Sequence, residues 1–468
     1  MSTKYPSRCF SKPIAEAVAN RIMMRLFRIL LIICLTTLPS LLLASEDKPI
    51  TNRTAIIDLL LERAISSHLI AGGVVVIGNR NGILFTTAKG RLNDNPGAPP
   101  LNETTVFDLA SLTKVIATAP AVMKLLDEKR ISLLDPLSRW FPEFKGSGGE
   151  DITILNLLTH TSGLSDIELH PGQAMKEAIL KAAAQNNRPR PGSRFNYADI
   201  NFILLGELVQ RVSGKNLDTY SRDELYAPLG ARRTGFLPPG NLAETIAPTL
   251  GYSGGIVQDK NARRLGGVAG HAGLFSSADD LALYARMILG NGAIDGRQIL
   301  SERVVSQMTA PYFSNSGAVV RCLGWDMDSP YSAPKGSFFS ETSFGHTGYS
   351  GSSIWIDPQQ DLFVILLTNR INYRNRKVFS QFRRDVSSVA SAVFRSPDGD
   401  QEALPTWDTA KSTVDQLRST CEASQAQPYT IMLAMAAPVE KHYRAHRHAV
   451  KKHSKKHRSK SHVRSQRA

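Results

Sequence analysis

The sequence predicts an α/β fold of the α+β type, in which helices flank an antiparallel sheet and a mainly helical lobe is inserted. Three observations predict it. The body of the chain opens with one helical pattern followed by two strand patterns, and it closes with two strand patterns followed by a helical pattern. Between about residues 120 and 300, helical periodicity and Gly-rich loops dominate. Ends of this kind can share one sheet that carries helices on its faces.

Four elements near the two ends support this prediction. Residues 54–68 form an amphipathic pattern with apolar side chains on one helical face. An Asn-Gly dipeptide at 81–82 lies between two apolar runs, which is typical of a hairpin. Two further strands are predicted around the Asp-Pro dipeptide at 357–358. The stretch 376–394 is again an amphipathic helical pattern.

The distribution of charge restricts what the basic composition implies. The 468 residues include 56 basic and 41 acidic side chains, a formal charge of +15, and 42% apolar residues, which excludes global disorder. A basic protein often binds nucleic acid or a membrane surface. Here residues 1–44 carry a net charge of +5 and residues 441–468 carry +11. Because the total is +15, the rest of the chain has a net charge of −1. An argument for polyanion binding therefore applies to the tail alone.

The N-terminal region has the pattern of an export signal. Arg25 and Arg28 precede an apolar run at 29–44 that ends in a small residue. The run is shorter than the roughly 20 residues that a spanning helix needs. We expect residues 1–44 to be a signal peptide or, if uncleaved, an N-terminal anchor. The protein is then secreted or periplasmic, with membrane association through the leader in the second case.

Three further segments follow the leader. Residues 45–396 form the predicted globular domain, 397–440 a linker, and 441–468 a disordered tail rich in His, Lys and Arg. The tail could bind anionic lipid, cell-wall polymer or nucleic acid. Export would permit a disulfide between Cys322 and Cys421, which the sequence neither requires nor excludes. No CxxC or HExxH motif occurs, and we expect neither metal nor cofactor.

The strongest chemical signal is Ser111-Leu112-Thr113-Lys114 at the start of a helical stretch bent by Pro120. Positions three apart lie on one helical face, so Lys114 can reach Ser111. A desolvated lysine can lose its charge and take the proton of a serine nucleophile. The alternative is a helix-capping serine beside a surface lysine.

Two other groups suit the same chemistry. Tyr197 and Asp199 lie in a turn before a helix, where the tyrosine can relay protons and the aspartate can be a helix cap. His346, Thr347 and Gly348 precede an apolar strand. Small residues there let a substrate backbone lie along a strand edge, and main-chain N–H groups can face an oxyanion. The alternatives are a core tyrosine and a loop histidine.

The order Ser-x-x-Lys, Tyr-x-Asn/Asp, Lys/His-x-Gly resembles the class C β-lactamases, related penicillin-binding proteins and serine esterases. Similar stretches lie at 157–164, 195–209, 266–289 and 345–358, and the resemblance covers about residues 54–395. It implies a β-lactamase/transpeptidase-like fold. The stretch from Gly255 to Leu281 is most similar to the penicillin-binding protein 4B subgroup, which is linked to D-Ala-D-Ala carboxypeptidase activity. That subgroup usually has His and Glu where this chain has Gln258 and Lys260.

The resemblance implies a role for each matching residue. Ser111 is the nucleophile that forms an acyl-enzyme, and Lys114 and Tyr197 share the general base and acid work. Asp199 stands where Asn is usual, and it either contacts the substrate amide or holds Lys114. The main-chain N–H groups of Ser111 and Tyr349 form the oxyanion hole.

His346 replaces the lysine of the family's Lys-Thr-Gly triplet, so that the triplet here is His346-Thr347-Gly348. A histidine is mostly neutral near pH 7. We therefore expect weak or no β-lactamase activity. The expected substrates are peptidoglycan stem peptides ending in D-Ala-D-Ala, β-lactams or small esters. A carboxylesterase of the same family is one alternative, and a non-catalytic cell-wall-binding protein that works through its basic tail is another.

Several local motifs compete with this interpretation. His271-Ala272-Gly273 also matches His-x-Gly, but it precedes a helix start rather than a strand pattern. Residues 251–255 fit the Gly-x-Ser-x-Gly motif of α/β-hydrolases without the strand and helix that a nucleophile elbow needs. His160 and Ser162 resemble a structural turn that borders the cleft. The absence of Ser-Asp-Asn and Lys-Thr-Gly triplets argues against a class A β-lactamase.

Overall fold

The computed structural model describes most of the central part of the chain: residues 55–146, 152–240, 245–314 and 319–394. The predicted leader at 1–44, linker at 397–440, tail at 441–468, and Cys421 lie outside the described residues. None of the helices within the described ranges is sufficiently long and apolar to span a membrane.

Strands dominate the two ends of the described chain. The larger sheet has eight strands in the order β2-β1-β14-β13-β12-β11-β10-β9, and each neighbouring pair is antiparallel. Smaller sheets have the orders β4-β6-β3-β5 and β7-β8. The strands are β1 (Ile70–Asn79), β2 (Gly82–Gly90), β3 (Val106–Asp108), β4 (Gly235–Phe236), β5 (Ile246–Ala247), β6 (Leu274–Ser276), β7 (Ala293–Ile294), β8 (Arg297–Gln298), β9 (Tyr312–Ser314), β10 (Val319–Arg321), β11 (Asp326–Asp328), β12 (Phe344–Thr347), β13 (Ser353–Asp357) and β14 (Leu362–Arg370).

Helices fill the middle of the chain and cover the sheet. The α-helices are α1 (Ala55–Ser66), α2 (Ala119–Asp127), α3 (Ile154–Leu158), α4 (Ala174–Ala183), α5 (Ile200–Ser213), α6 (Leu217–Ser221), α7 (Ala227–Leu229), α8 (Lys260–Arg264), α9 (Ala278–Leu289), α10 (Glu302–Thr309) and α11 (Arg376–Phe394). Short 3-10 turns occur as well, and π-helical turns lie at Lys114–Thr118 and Arg222–Tyr226.

The central strands β1, β13 and β14 of the larger sheet are buried on both faces. Side chains alternate along β1, so that Val75 and Ile77 join a core with α1 and α11, in which Phe379 is buried. Val74 and Val76 point to the opposite face and join the core of the helical lobe. This two-sided burial explains why β1 reads as a nearly continuous apolar run.

The predicted α/β architecture and its terminal elements are confirmed. The helix predicted at 54–68 is α1, and the predicted helix at 376–394 is α11. The Asn-Gly turn at 81–82 joins β1 to β2, and Asn79 Oδ1 accepts the N–H groups of both turn residues at 3.0 and 3.2 Å. The strands around 357–358 are β13 and β14.

The sequence did not predict the four-stranded sheet β4-β6-β3-β5. Its strands are two or three residues long, too short to show a period of two. This sheet matters for the site because β3 ends two residues before Ala110–Leu112, the 3-10 turn that contains Ser111.

Candidate active site

Ser111 lies in a sharp turn that Asp108 holds in place. Asp108 Oδ1 accepts the N–H of Ala110 at 2.8 Å, and its Oδ2 accepts the N–H of Gln258 at 2.7 Å. Burial raises the pKa of Asp108 to about 6, although these two donors favour the ionised form. Ala110 has a φ of 46°, a left-handed conformation that costs an L-residue about 1 kcal/mol. The chain thus turns abruptly just before the candidate nucleophile.

The helix after Ser111 begins with a wide π-helical turn at Lys114–Thr118. The sequence predicted a bend at Pro120, and this proline lies in the first turn of α2 directly after the π turn. Because proline has no N–H, it cannot donate to the carbonyl of Ile116 four residues earlier. That carbonyl accepts the hydroxyl of Tyr226 at 3.2 Å instead. The irregular turn is therefore stabilised from the neighbouring helical lobe.

Lys114 is fully buried and its ammonium group contacts three residues. The Nζ atom lies 3.1 Å from Ser111 Oγ, 3.0 Å from the main-chain oxygen of His271 and 2.7 Å from Asp199 Oδ1. It also lies 5.1 Å from the centroid of the Tyr197 ring. The structure thus brings together the serine, lysine, tyrosine and aspartate that the sequence singled out. It contradicts the alternative of a surface lysine beside a capping serine.

The charge of Lys114 differs from the sequence expectation. Burial alone lowers the pKa of Lys114, but the Asp199 carboxylate and Tyr197 together raise it further than burial lowers it. Burial raises the pKa of Asp199, whereas Lys114 and His271 lower it to a net value below the usual one. The resting site therefore holds an ammonium–carboxylate pair. The expectation that desolvation discharges the lysine is wrong for this state.

Asp199 is available to Lys114 because another residue caps the helix. Asp199 occupies the N-cap position of α5 but makes no capping bond with its side chain. Asp166 Oδ1 accepts the N–H groups of Asp199 and Ile200 instead, the latter at 3.2 Å. The prediction did not include Asp166, since nothing in the sequence near 166 indicates a partner 33 residues away.

Tyr197 stacks on a histidine that the sequence treated as part of a structural turn. The ring centroids of His160 and Tyr197 lie 4.5 Å apart with an interplanar angle of 29°. His160 Nδ1 accepts from the main-chain N–H of Ala198 at 3.3 Å, and burial followed by the charge of Arg321 keeps its pKa well below the usual value. Burial also raises the pKa of Tyr197, although Lys114 opposes this. Tyr197 is thus a neutral phenol that rests on a neutral imidazole.

His346 lies in β12 and is nearly fully buried. Its Nδ1 donates to the main-chain oxygen of Thr347 at 2.9 Å, and its ring centroid lies 6.2 Å from that of Tyr197. Burial, followed by the charges of Arg321 and Lys114, holds the pKa of His346 well below its usual value. The side chain is therefore neutral at pH 7, and the position offers no fixed charge to a substrate carboxylate.

The turn between β12 and β13 is bonded to the chain that leads to Ser111. Ser350 Oγ donates to the main-chain oxygen of Asp108 at 2.6 Å, and Ser352 Oγ donates to that of Leu109 at 3.0 Å. A Cβ atom on Gly348 would lie 2.3 Å from the same Leu109 oxygen, so only glycine fits there.

Two main-chain N–H groups are available where an oxyanion hole was predicted. Within the described residues, neither the N–H of Ser111 nor that of Tyr349 donates to a protein acceptor. Beyond the pairing of Gly345 with Asp326, β12 has no further residue in register with β11 in this part of the chain. In the described part of the chain, the edge at His346 and Thr347 therefore has no strand paired with it on that side.

The competing motifs occupy other positions. His271 is followed by the short strand β6, so the expectation of a helix directly after it was wrong. Its ring bonds to Asp259 at 2.8 Å, and only its main-chain oxygen meets Lys114. Residues 251–255 lie in turns between β5 and α8, and the antiparallel sheet excludes the α/β-hydrolase alternative. Cys322 is buried and donates to the oxygen of Thr309, while Cys421 lies outside the described residues.

One group of side chains in the described ranges has the geometry of a metal site. A ligand atom from each of Asp199, Asp259 and His271 lies within 4.8 Å of the others. However, the Lys114 ammonium already contacts the Asp199 carboxylate at 2.7 Å. A divalent cation would have to share that carboxylate with a buried positive charge, so these residues do not fit a metal well.

Comparisons with known proteins agree with this geometry. The family described as Beta-lactamase matches residues 57–386. An "N-acetylmuramyl-L-alanine amidase" of Bacillus subtilis is 29% identical over 378 residues, which cover 71% of this chain and 84% of that protein. A "Putative D-alanyl-D-alanine carboxypeptidase" of Salmonella agona is 28% identical over 305 residues, which cover 57% of this chain and 69% of that protein.

Solved structures show the same fold. A penicillin-binding protein homologue from Caulobacter crescentus superposes with a TM-score of 0.62 at 20% identity, covering 73% of this chain and 98% of that one. EstCE1, a hydrolase with promiscuous acyltransferase activity, gives 0.61 at 20% identity, with coverages of 72% and 98%. A class C β-lactamase gives 0.60 at 18% identity, with coverages of 75% and 99%. The β-lactamase/transpeptidase-like fold implied by the resemblance is confirmed.

Proposed function

The chain belongs to the Beta-lactamase family of serine hydrolases, and from this we propose that it is a D-Ala-D-Ala carboxypeptidase that forms an acyl-enzyme on Ser111. The observation that carries the proposal is the contact of the buried Lys114 Nζ with Ser111 Oγ at 3.1 Å, beside Asp199 and Tyr197. A serine hydroxyl needs such a proton acceptor to become a nucleophile.

The proposed reaction starts from the fraction of sites in which Lys114 is a neutral amine, held by Asp199 Oδ1 at 2.7 Å. The neutral amine then takes the proton of Ser111 while Oγ bonds to the substrate carbonyl carbon, and the main-chain N–H groups of Ser111 and Tyr349 stabilise the oxyanion. Tyr197 donates its proton to the leaving amine as the carbon–nitrogen bond breaks. The Tyr197 phenolate then takes a proton from water as the water oxygen bonds to the ester carbonyl carbon, and the Lys114 ammonium returns its proton to Ser111 Oγ as the ester bond breaks.

The choice of peptide substrate rests on the relatives named as carboxypeptidases and on the resemblance to the penicillin-binding protein 4B subgroup. The two departures from that subgroup lie beside the site. Gln258 contributes its main-chain N–H to Asp108 at 2.7 Å. Lys260 is exposed and pairs with Glu168. Since neither side chain bonds to Ser111 or Lys114, the departures leave the proposed chemistry intact.

Covalent labelling tests the acyl-enzyme. The protein is incubated with a fluorescent penicillin or an activated phosphonate, and its intact mass is measured. We expect one adduct of the phosphonate on the peptide that contains Ser111, slower acylation by the penicillin because His346 is neutral, and no adduct in Ser111→Ala. The proposal fails if neither reagent adds mass, or if Ser111→Ala labels as fully as the unaltered protein. Failure to label would favour a non-catalytic wall-binding protein.

A carboxylesterase is the second candidate, and the neutral, buried His346 favours it. A small ester has no carboxylate that needs a fixed positive charge. Hydrolysis of a D-Ala-D-Ala tripeptide and hydrolysis of p-nitrophenyl butyrate are measured at equal enzyme concentration. We expect the tripeptide to be hydrolysed. Ester hydrolysis without release of D-alanine would contradict the carboxypeptidase assignment and leave the acyl-enzyme mechanism standing.

We further propose that the protein works outside the cytoplasm, either secreted, periplasmic or anchored by its leader. The basic and apolar pattern of residues 1–44 supports export, and the +11 of residues 441–468 would hold the enzyme near anionic lipid, cell-wall polymer or nucleic acid. Mass measurement of the mature N-terminus tests the leader, since an intact Met1 would contradict cleavage.

A further inference from the structure

A pair formed by the partly exposed Asp259 and the buried His271 lies directly behind Lys114. The side chain of His271 is about 1% exposed, and its Nε2 meets Asp259 Oδ1 at 2.8 Å. The main-chain oxygen of the same histidine accepts from Lys114 Nζ at 3.0 Å. His271 thus contacts Asp259 through its ring and Lys114 through its backbone, so that one residue joins the carboxylate to the lysine.

The segment that contains His271 is bonded to the helix of Lys114 on both sides of this contact. Thr118 Oγ1 donates to the oxygen of Gly270 at 2.7 Å, and the N–H of Leu274 donates to Thr113 Oγ1 at 3.1 Å. These bonds align the segment with the helix but leave the orientation of the His271 peptide between them undetermined. Asp259 supplies the missing contact from the opposite side.

Asp259 is itself held rigidly. It is the N-cap residue of α8, where Oδ1 accepts the N–H of Ala262 at 2.7 Å. Burial raises the pKa of Asp259, but the contact with His271 and this N–H lower it further, so that the carboxyl stays ionised. A ligand atom of Asp259 lies within 4.8 Å of one on Asp199. Lys114 is therefore surrounded by two carboxylates.

The three rings that lie near Lys114 in the described part of the chain carry no charge in the resting site. Tyr197 lies across its ammonium group as a neutral phenol. His160 and His346 lie further along the same face, and burial keeps both neutral. Arg321 lies beyond them and is paired with Asp326. The negative charge that bears on Lys114 thus comes from Asp199, from Asp166 beside it and, behind it, from Asp259.

We propose that Asp259 is a positioning residue for the reaction: it holds His271 so that the His271 carbonyl aims Lys114 at Ser111, and its charge keeps the proton on the lysine until substrate is bound. This inference rests on the proposed acyl-enzyme function. Asp259 itself makes no contact with Ser111 or with the open edge of β12.

Two variants separate the effect of the hydrogen bond between Asp259 and His271 from the effect of the negative charge on Asp259. In Asp259→Asn, the amide oxygen still accepts from Ala262 and from His271, but the charge is lost. In Asp259→Ala, the bond is lost as well. The matched control is Asp295→Asn, an exposed aspartate that pairs with Arg286 at the far end of α9. The kcat and KM for p-nitrophenyl butyrate are measured from pH 5 to 10, and thermal melting checks the fold.

The sign of the pH effect follows from the charge. A carboxylate favours the ammonium form of a nearby lysine, and the neutral amine is the base, so kcat rises with pH as Lys114 loses its proton. In Asp259→Asn one negative charge near Lys114 is removed. The rising limb of the plot of kcat against pH should therefore shift by about one pH unit to lower pH. In Asp259→Ala we expect, in addition, a roughly 10-fold lower kcat at every pH with KM unchanged.

The outcomes show whether Asp259 positions Lys114 for the reaction. The inference is overturned if kcat of Asp259→Asn depends on pH in the same way as kcat of the unaltered protein, or if KM rises while kcat is unchanged. If Asp259→Ala does not fold, Asp259→Asn decides alone, because it keeps both hydrogen bonds. Absence of Ser111 labelling in the unaltered protein would refute the proposed function, whereas labelling with indifferent Asp259 variants refutes only this inference.

Discussion

Replacing Lys114 by alanine should lower the rate of Ser111 acylation at least about 10³-fold, because no other amine among the described residues lies against the serine Oγ. It should also destabilise the fold by about 3 kcal/mol, since the Asp199 carboxylate loses the ammonium at 2.7 Å and stays in a largely desolvated position. Stopped-flow labelling with a phosphonate measures the rate, and urea unfolding measures the stability.

The double variant Lys114→Ala/Asp199→Asn distinguishes the two effects. The asparagine carries no charge that needs a partner, so most of the lost stability should return. The acylation rate should not return, since the base is still missing. Recovery of the rate in the double variant would mean that Lys114 serves only to neutralise Asp199, and the proposed mechanism would be wrong.

An aspartate at 199 gives this site a different resting state from one with asparagine at that position. An asparagine can accept a hydrogen bond from the lysine but cannot take its proton at neutral pH. Asp199 is charged instead, and it lies at the shortest of the three polar contacts of Lys114 Nζ. The ion pair thus keeps Lys114 protonated in the resting site, and only the neutral fraction of the lysine can serve as the base.

The residues that carry out the proposed chemistry could be predicted from the sequence, whereas the residues that hold them in place could not. Ser111 and Lys114 are three residues apart, and helical geometry alone brings them together. Tyr197, Asp199 and His346 were singled out by residue type and position, and the resemblance to a known family then implied their roles. The supporting residues Asp108, Asp166 and Asp259 have no such signal, because each acts on a main-chain group or a ring far away in sequence.

The fold was predictable where the elements are long. The helix α11 spans 19 residues and its amphipathic pattern predicted both ends correctly. The strands β3 and β6 have three residues each, and tertiary pairing rather than sequence pattern determines them. Yet β3 leads into Ser111, and β6 follows His271. The elements that position the site most directly were therefore those with the weakest local signal.

Gly348→Ala should lower kcat about 10²-fold or more and destabilise the fold by about 2 kcal/mol. The added Cβ would lie 2.1 Å from Ser352 Oγ and 2.3 Å from the oxygen of Leu109. The buried guanidinium of Arg383 donates to the main-chain oxygens of Gly348 and Ser352 from behind. The turn can relieve the clash only by moving away from Ser111 at the cost of these bonds, and the N–H of Tyr349 moves with it.

The control is Gly82→Ala in the β1–β2 hairpin. Among the described residues, a Cβ at this position meets nothing within 4 Å, so this variant should leave kcat unchanged. Gly348→Ala combined with Ser352→Ala should recover only part of the loss, because the Leu109 oxygen remains in the way while one hydroxyl is removed. If Gly348→Ala acylates Ser111 at the unaltered rate although its melting temperature falls, the N–H of Tyr349 does not stabilise the oxyanion. The second donor would then have to come from another main-chain group near Ser111, since a tetrahedral intermediate bound by one donor alone would form about 10²-fold more slowly.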